Sequence, residues 1–464
     1  MLYHIYKKSN RLSYFLLFFI LFIGFILRVS GIISGIWSIN KYNKINHPDE
    51  FRIAYYVREF PNSFLWNTDF RIPTFLHHII SFATLPFYRL KSGDIYDFLL
   101  RFDIIMITGR LFSISAGIGA IILTYLVVKR NYDRNMAFLA AVLLTFSMYH
   151  VVNSSYLTTD ITTSFFLILY IYWIIRAFQT KTTKYFVFAG VTLGLLIGTK
   201  YTGALALIFI PVFIYFYDIR LNPEMPLGKR LKNIVFNWNY WIVLILAVIM
   251  FFLTTPGLFL HPQEFIDSIK YQSYWGVSVN QLPRWDISIW VSQADKLINT
   301  IGLPLALAFI VGLIYSISRR NPVEWAGLIL ILVFCLYFGN SLAARYIILI
   351  TPLIAIYASL ALITPIRNSN QRIRWFGIIL SVVVISYSVV YSVLGAISRY
   401  PETRTQAAEF IDKNIPLGST IGLGYTTPEY EHPNRYPWIN FREKFIYMDF
   451  LERPQYIVMS STDF

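Results

Sequence analysis

The sequence predicts a polytopic α-helical membrane protein of about eleven spans, with a long first external loop and a small external C-terminal α/β appendage. Three observations predict it. Hydrophobic residues make up 56% of the 464 and charged residues only 14%, a balance far from that of a soluble globule. Apolar runs of membrane-spanning length recur along most of the chain. The short loops between them carry lysine and arginine on one side only when eleven spans are drawn.

The first run, 12–37, follows the basic residues Lys7, Lys8 and Arg11. It is too long for a signal-peptide core and has no small-residue cleavage site, so it reads as a retained helix. The remaining spans are expected near 104–128, 135–152, 160–178, 185–199, 201–217, 239–257, 297–318, 322–339, 345–364 and 375–396. The stretch 185–217 reads either as one overlong helix or as two short ones hinged at "GTKYTG". Parity decides for two. Lys129, Arg130 and Arg134, then Lys181 and Lys184, then Arg220, Lys229, Arg230 and Lys232, then Arg319 and Arg320, then Arg367, Arg372 and Arg374 all fall inside. A single helix would put the loop at 218–238 outside. The expected location is the plasma (inner) membrane, with a cytoplasmic amino end and an external carboxyl end.

The formal charge of +15 is therefore a topological signal and a match to anionic lipid on the inner leaflet, and nucleic acid is not an expected partner. The single Cys335 lies in an apolar run, which excludes a disulfide framework and a cysteine metal site. Residues 1–396 form the expected transmembrane unit. Its external loops are 38–103, in which 73–91 reads as an interfacial helix, and 258–296, whose Trp275, Trp285 and Trp290 suit headgroup depth. Residues 397–464 form the external tail, with "RTQAAEFIDKNIP" as a helix and "PLGSTIGLG" and "PQYIVMSS" as turn-and-strand units.

In "NKINHPDEFRIAYY" Pro48 suits a first helical turn capped by Asn46 or His47, and Asp49 and Glu50 take the next two positions. Carboxylates there are favoured by the helix dipole, which is the ordinary structural explanation for them. Neighbouring helical positions point about 100° apart, so one carboxylate is expected to face a reaction centre and the other to brace it. Asp160 opens the fourth span, again as a cap or as a partner of the first pair. Lys200 lies between two short apolar helices, where a charge needs a partner or a function. Arg345 stands at the outer mouth of the tenth span and Arg28 in the outer half of the first, against the positive-inside bias. Cations can hold a phosphate, and a carboxylate can take a proton from an attacking hydroxyl or amine. A polyprenyl-phosphate sugar meets these demands, with protein, lipid or glycan as acceptor. A divalent metal is compatible with Asp49, Glu50, Asp160 or His261, and His47 is a further candidate for metal or substrate, but no spacing requires one.

These residues, taken with "GRLFSISAGIGAIILTYLVVKRNYDRNMAFLAAVLLTFSMYHVVNSSYLTTDITTSFF", "FAGVTLGLLIGTKYTGALAL", "TTPGLFLHPQEF" and "ARYIILITPLIAIYASLAL", resemble the GT-C superfamily of membrane glycosyltransferases. The resemblance is to its family-39 branch of protein mannosyltransferases and aminoarabinose transferases. It implies inverting sugar transfer from a lipid-phosphate donor on the external face. By position it implies Asp49, with Glu50 beside it, and Asp160 as the acidic set, and Lys200 and Arg345 near the donor phosphate; Arg28 joins them as a phosphate candidate from its place in the first span. His261 departs from the acidic residue that relatives often carry after the Thr-Pro turn. The other classes open to this sequence are a non-catalytic transporter of lipid-linked sugars and a structural subunit of an envelope complex. The transporter would want charges in mid-membrane and internal repeats, and the candidate charges here cluster at one face.

Overall fold

The computed structural model describes residues 2–33, 48–91, 102–278, 286–338 and 344–398, together with 406, 410–411, 413–416, 420–423, 440–442 and 456–458. These residues are almost entirely helical. Among them, five helices are long and apolar enough to cross a membrane singly: Asp103–Asn131, Thr159–Thr180, Tyr201–Leu221, Ala344–Ile366 and Gln371–Ile397. Three bent pairs and several shorter apolar helices occupy the other predicted spans. The protein is a multi-pass membrane protein.

Side-chain size sorts the faces as lipid requires. In Gln371–Ile397 the buried positions are Gly377, Ser381, Val384, Ser388, Ser392 and Ala396. Ile379, Val383, Val390 and Leu394 point outward. Lipid tails are as apolar as leucine, so burying large side chains between helices gains little there. Small residues instead let backbones approach. The helix Thr183–Thr199 does the same with Gly190, Gly194 and Gly198. A Cβ on Gly190 would lie 2.9 Å from the Val243 carbonyl oxygen, and one on Gly194 2.6 Å from that of Ala247. This glycine row seats the helix against Trp238–Thr254. We expect Gly194→Leu to separate the two helices and to lower the thermal midpoint of the solubilised protein. A thermal scan beside Leu195→Ala, which adds no bulk, checks this.

At Lys200 the backbone turns extended, between Thr183–Thr199 and a tighter helical turn over Tyr201–Ile208 that continues as Phe209–Leu221. The "GTKYTG" hinge is therefore present. Two span limits need correction. The first helix runs Leu2–Val29 and ends in a turn at 30–33, short of the expected limit at 37, and 34–37 lie outside the described residues. The span expected at 297–318 starts at Leu303, because residues 297–301 belong to a separate helix, Ile287–Ile301, bent by 119° from Leu303–Arg319. The break is made by Gly302 at φ 86°, followed within two residues by Pro304. A left-handed glycine before a proline ends one helix and starts the next.

The stretch expected as an interfacial helix is helical over Phe75–Lys91, and the stretch 258–296 carries Pro262–Ser278 and Ile287–Ile301. Trp290 is partly exposed on the latter, and the side chains of Trp275 and Trp285 lie outside the described residues. In the tail, β1 (Thr420–Leu423) lies between β2 (Asn440–Arg442) and β3 (Tyr456–Val458), parallel to both. β1 and β3 fall in the two stretches expected to hold strands.

Candidate functional site

Helix Pro48–Arg58 carries Asp49 and Glu50 in its first turn. Its inner face, Ile53, Ala54 and Val57, packs on Leu76 and Ile80, on Ile105 and Met106, and on Leu157. This apolar seat fixes where the first turn lies.

Glu50 points inward and is fully buried. Its Oε1 accepts from Arg110 Nε at 2.9 Å and from the Leu157 backbone N–H at 2.6 Å, and its Oε2 accepts from Arg110 Nη2 at 2.9 Å. Arg110 Nη1 donates to the Ile32 carbonyl at 2.7 Å. The two side chains are only 3% and 1% exposed. A bidentate fork of this kind combines charge with fixed geometry. It ties the end of the first helix, the first loop, the helix Phe102–Asn131 and the turn before Asp160 into one unit.

Asp49 points elsewhere, and Arg345 Nη1 donates to its Oδ2 at 2.5 Å. These side chains stay 23% and 40% exposed, so solvent or a ligand can reach them. Asp160 occupies the first turn of Thr159–Thr180, and Lys200 Nζ donates to its Oδ1 at 2.5 Å. Lys200 reaches it because the hinge frees its side chain from any helical direction. Both cations lie over one ring, with Lys200 Nζ 4.6 Å and the Arg345 guanidinium 5.7 Å from the centre of Tyr346. Asp160 is also close enough for its charge to act on Arg345. Asp49, Arg345, Tyr346, Lys200 and Asp160 thus form one chain of contacts, with two carboxylates and two cations in balance.

Besides Glu50, two described site residues, Arg28 and His261, are held outside this chain of contacts. The Arg28 guanidinium is buried among helices, donating to the Gly24 carbonyl at 2.9 Å and the Thr145 carbonyl at 3.3 Å and meeting His150 Nδ1 at 2.8 Å. His261 Nδ1 lies 3.7 Å from Glu264 Oε1, and its ring packs edge-on to Trp66 at 6.1 Å. His47 lies outside the described residues. Among the described residues no three histidine, cysteine, aspartate or glutamate side chains gather as metal ligands.

Two participants were missed from sequence. Tyr346 is an ordinary aromatic until its ring is seen between the cations. Arg110 had a legible signal, because an arginine eight residues into an apolar helix needs a buried partner. Nearby, Asp69 accepts from Arg71 Nε at 2.8 Å and Nη2 at 2.5 Å, with Arg52 Nε at 3.7 Å. Burial pushes the Asp69 carboxyl up, but the Arg71 hydrogen bonds and the charges of Arg71 and Arg52 outweigh it and hold the group below its usual range. Burial pushes the adjacent imidazoles of His77 and His78 down, to about 3 and about 4, so both are neutral near pH 7 and supply no cation.

The family described as PMT, dolichyl-phosphate-mannose-protein mannosyltransferase, matches residues 16–260, more than half of the chain. No curated protein matches it in sequence. Among solved structures the chain is similar to the oligosaccharyltransferase of Archaeoglobus fulgidus in complex with Zn and sulfate, at 15% identity and a TM-score of 0.57. That match covers 93% of this chain and 62% of the archaeal one. A second structure, the archaeal oligosaccharyltransferase AglB with an inhibitory peptide and a dolichol-phosphate, is 14% identical with a TM-score of 0.57, over 94% and 65% of the two chains. ArnT of Cupriavidus metallidurans bound to undecaprenyl phosphate is 14% identical with a TM-score of 0.55, over 90% and 84%. This chain therefore spans less than two thirds of the archaeal proteins and most of the length of ArnT. At these identities the likeness is one of fold.

Proposed function

The chain belongs to the dolichyl-phosphate-mannose-protein mannosyltransferase family, and from that premise we propose that it moves a sugar from a polyprenyl-phosphate donor to an acceptor on the external face of the membrane, with inversion at the anomeric carbon. Asp49 is the general base. Its carboxylate takes the proton of an acceptor hydroxyl or amine as that atom bonds to the anomeric carbon. The bond from that carbon to the phosphate oxygen breaks, and polyprenyl phosphate leaves with the electron pair. Arg345 and Lys200 take up the phosphate charge, the first in a fork and the second as a point charge. Asp160 holds Lys200 in place, and Glu50 braces the helix turn that carries Asp49. Residues 1–396 form the catalytic unit and 397–464 an external appendage, with the acceptor being a protein, lipid or glycan group.

The observation that carries this reading is the run of contacts from Asp49 through Arg345, Tyr346 and Lys200 to Asp160. Its two carboxylates and two cations balance one another. A phosphate that draws Arg345 away removes a guanidinium from Asp49, and a carboxylate without that charge-assisted donor is a better proton acceptor than one that keeps it. Donor binding and base activation are then one event. No step is routed through a metal.

The test is transfer by the protein reconstituted in vesicles, with dolichyl-phosphate mannose as the first donor and undecaprenyl-phosphate sugars after it. Charge-assisted contacts contribute about 1.5–3 kcal/mol each, so Arg345→Gln and Lys200→Gln should each raise the donor KM about 10- to 100-fold. Arg345→Lys should recover part of the loss. Unchanged donor KM in both neutral variants sinks the phosphate assignment.

A further inference from the structure

The face opposite the acid–base cluster carries a feature that sugar transfer does not use. Thr159–Thr180 leaves Asp160, Thr183–Thr199 returns to Lys200, and Phe209–Leu221 leaves again, so residues 222–237 lie at the far end of these helices. There the short helix Leu227–Val235 has two faces. Leu227, Leu231 and Val235 share one side and are exposed, and Phe236 and Trp238 continue the exposed apolar edge. Lys229, Lys232 and Asn233 share the other side and line a groove of about 680 Å³ with Phe178, Tyr217 and Asp218.

The helix is held firmly enough to present both faces. Arg230 is buried and donates to the carbonyls of Asn222, Pro223 and Met225 at 2.7–2.9 Å, locking the turn before it. Asn233 Nδ2 donates to Asp218 Oδ2 at 3.1 Å, which occupies the one carboxylate in the groove. Lys229 and Lys232 remain exposed, with the Lys232 ammonium 5.8 Å from the Phe236 ring. A helix with apolar residues on one side and lysines on the other lies in the plane of a membrane surface. Lysine stems follow the apolar layer while their ammoniums reach the headgroups. Lys181 and Lys184 stand on the same face but do not line the groove.

We propose that this groove is a binding site for the headgroup of an anionic phospholipid of the inner leaflet, its phosphate held by Lys229 and Lys232 and its acyl chains running beside Phe178, Ile214 and Phe236. The site is independent of the sugar-transfer reading and is read by lipid retention rather than activity.

The experiment uses the full chain in nanodiscs of an equal mixture of phosphatidylcholine and phosphatidylglycerol, released for native mass spectrometry. Wild type should retain phosphatidylglycerol in preference to phosphatidylcholine. The double variant Lys229→Gln with Lys232→Gln should lose that retention about fivefold per lysine. Lys181→Gln with Lys184→Gln, on the same face but outside the groove, should leave it unchanged. Equal loss in both doubles would assign the effect to the general charge of the face and overturn the site. Displacement by soluble glycerol phosphate as readily as by added phosphatidylglycerol would make it a free-phosphate site and overturn the lipid assignment. Both doubles alter exposed side chains only, so their melting in pure phosphatidylcholine should match wild type. A double that melts earlier there is replaced by its Lys→Arg counterpart, which keeps the charge and should restore retention.

Discussion

Replacing Asp49 by asparagine or alanine should lower the turnover of sugar transfer by about 10²–10⁴-fold, the usual contribution of a positioned general base. The donor KM should change little, because the cations that hold the phosphate remain. The folded state should persist, since the Asp49 side chain is partly exposed and its first turn is held by the buried neighbour. The measurement is single-turnover transfer in vesicles beside a thermal scan of the same preparation. Full transfer by Asp49→Ala would falsify its assignment as the base. A loss that follows the thermal midpoint would make the residue structural.

Glu50 should behave in the opposite way. Removing one partner of a buried, hydrogen-bonded ion pair costs about 3–5 kcal/mol, because the other charge is left uncompensated. Glu50→Ala takes the carboxylate from the buried Arg110 guanidinium and also leaves the Leu157 N–H without its acceptor. The expected result is a large drop in thermal stability and proteolytic nicking of the first external loop, with activity lost as the fold is lost. The double variant Glu50→Leu with Arg110→Met removes both charges and should recover part of the stability. No recovery in the double would mean that the Ile32 and Leu157 contacts, and not the ion pair, hold the unit together. Adjacent carboxylates that fail in different ways, one in rate and one in stability, are the signature of the division of labour that helix geometry imposes.

That the two carboxylates meet different partners was legible in the sequence, because the 100° step between helical neighbours is a property of the backbone alone. The side chains brought together, Asp49, Asp160, Lys200 and Arg345, were legible for a related reason. Each is a charge at the edge of an apolar run, where its cost demands a partner. Arg28 obeyed the same logic and was placed differently, since its cost is met by two carbonyls and His150 inside the bundle. Hydropathy locates a charge along the membrane normal and says nothing about which way it faces. Tyr346 was illegible because aromatic residues are common in such helices and only the tertiary fold sets its ring between two cations. The bend at Gly302 was hidden for another reason. Apolar character continues through it, so a hydropathy window joins two helices that differ by 119°. The glycine–proline spacing was the local signal, and it is weaker than the run around it.

The separation of Asp49 and Arg345 along the chain has a consequence for biosynthesis. Glu50 finds its partners within 107 residues, but the partner of Asp49 is made 296 residues later. At about 5–20 residues per second, roughly 15–60 s of synthesis separates the two. The brace can therefore close well before the Asp49–Arg345 contact, which waits until residue 345 of 464 has been made. A chain that stops before Arg345 carries the Glu50–Arg110 brace but lacks the guanidinium that donates to Asp49 in the full chain. The contact between Asp49 and Arg345 thus forms only after most of the membrane segments have been made.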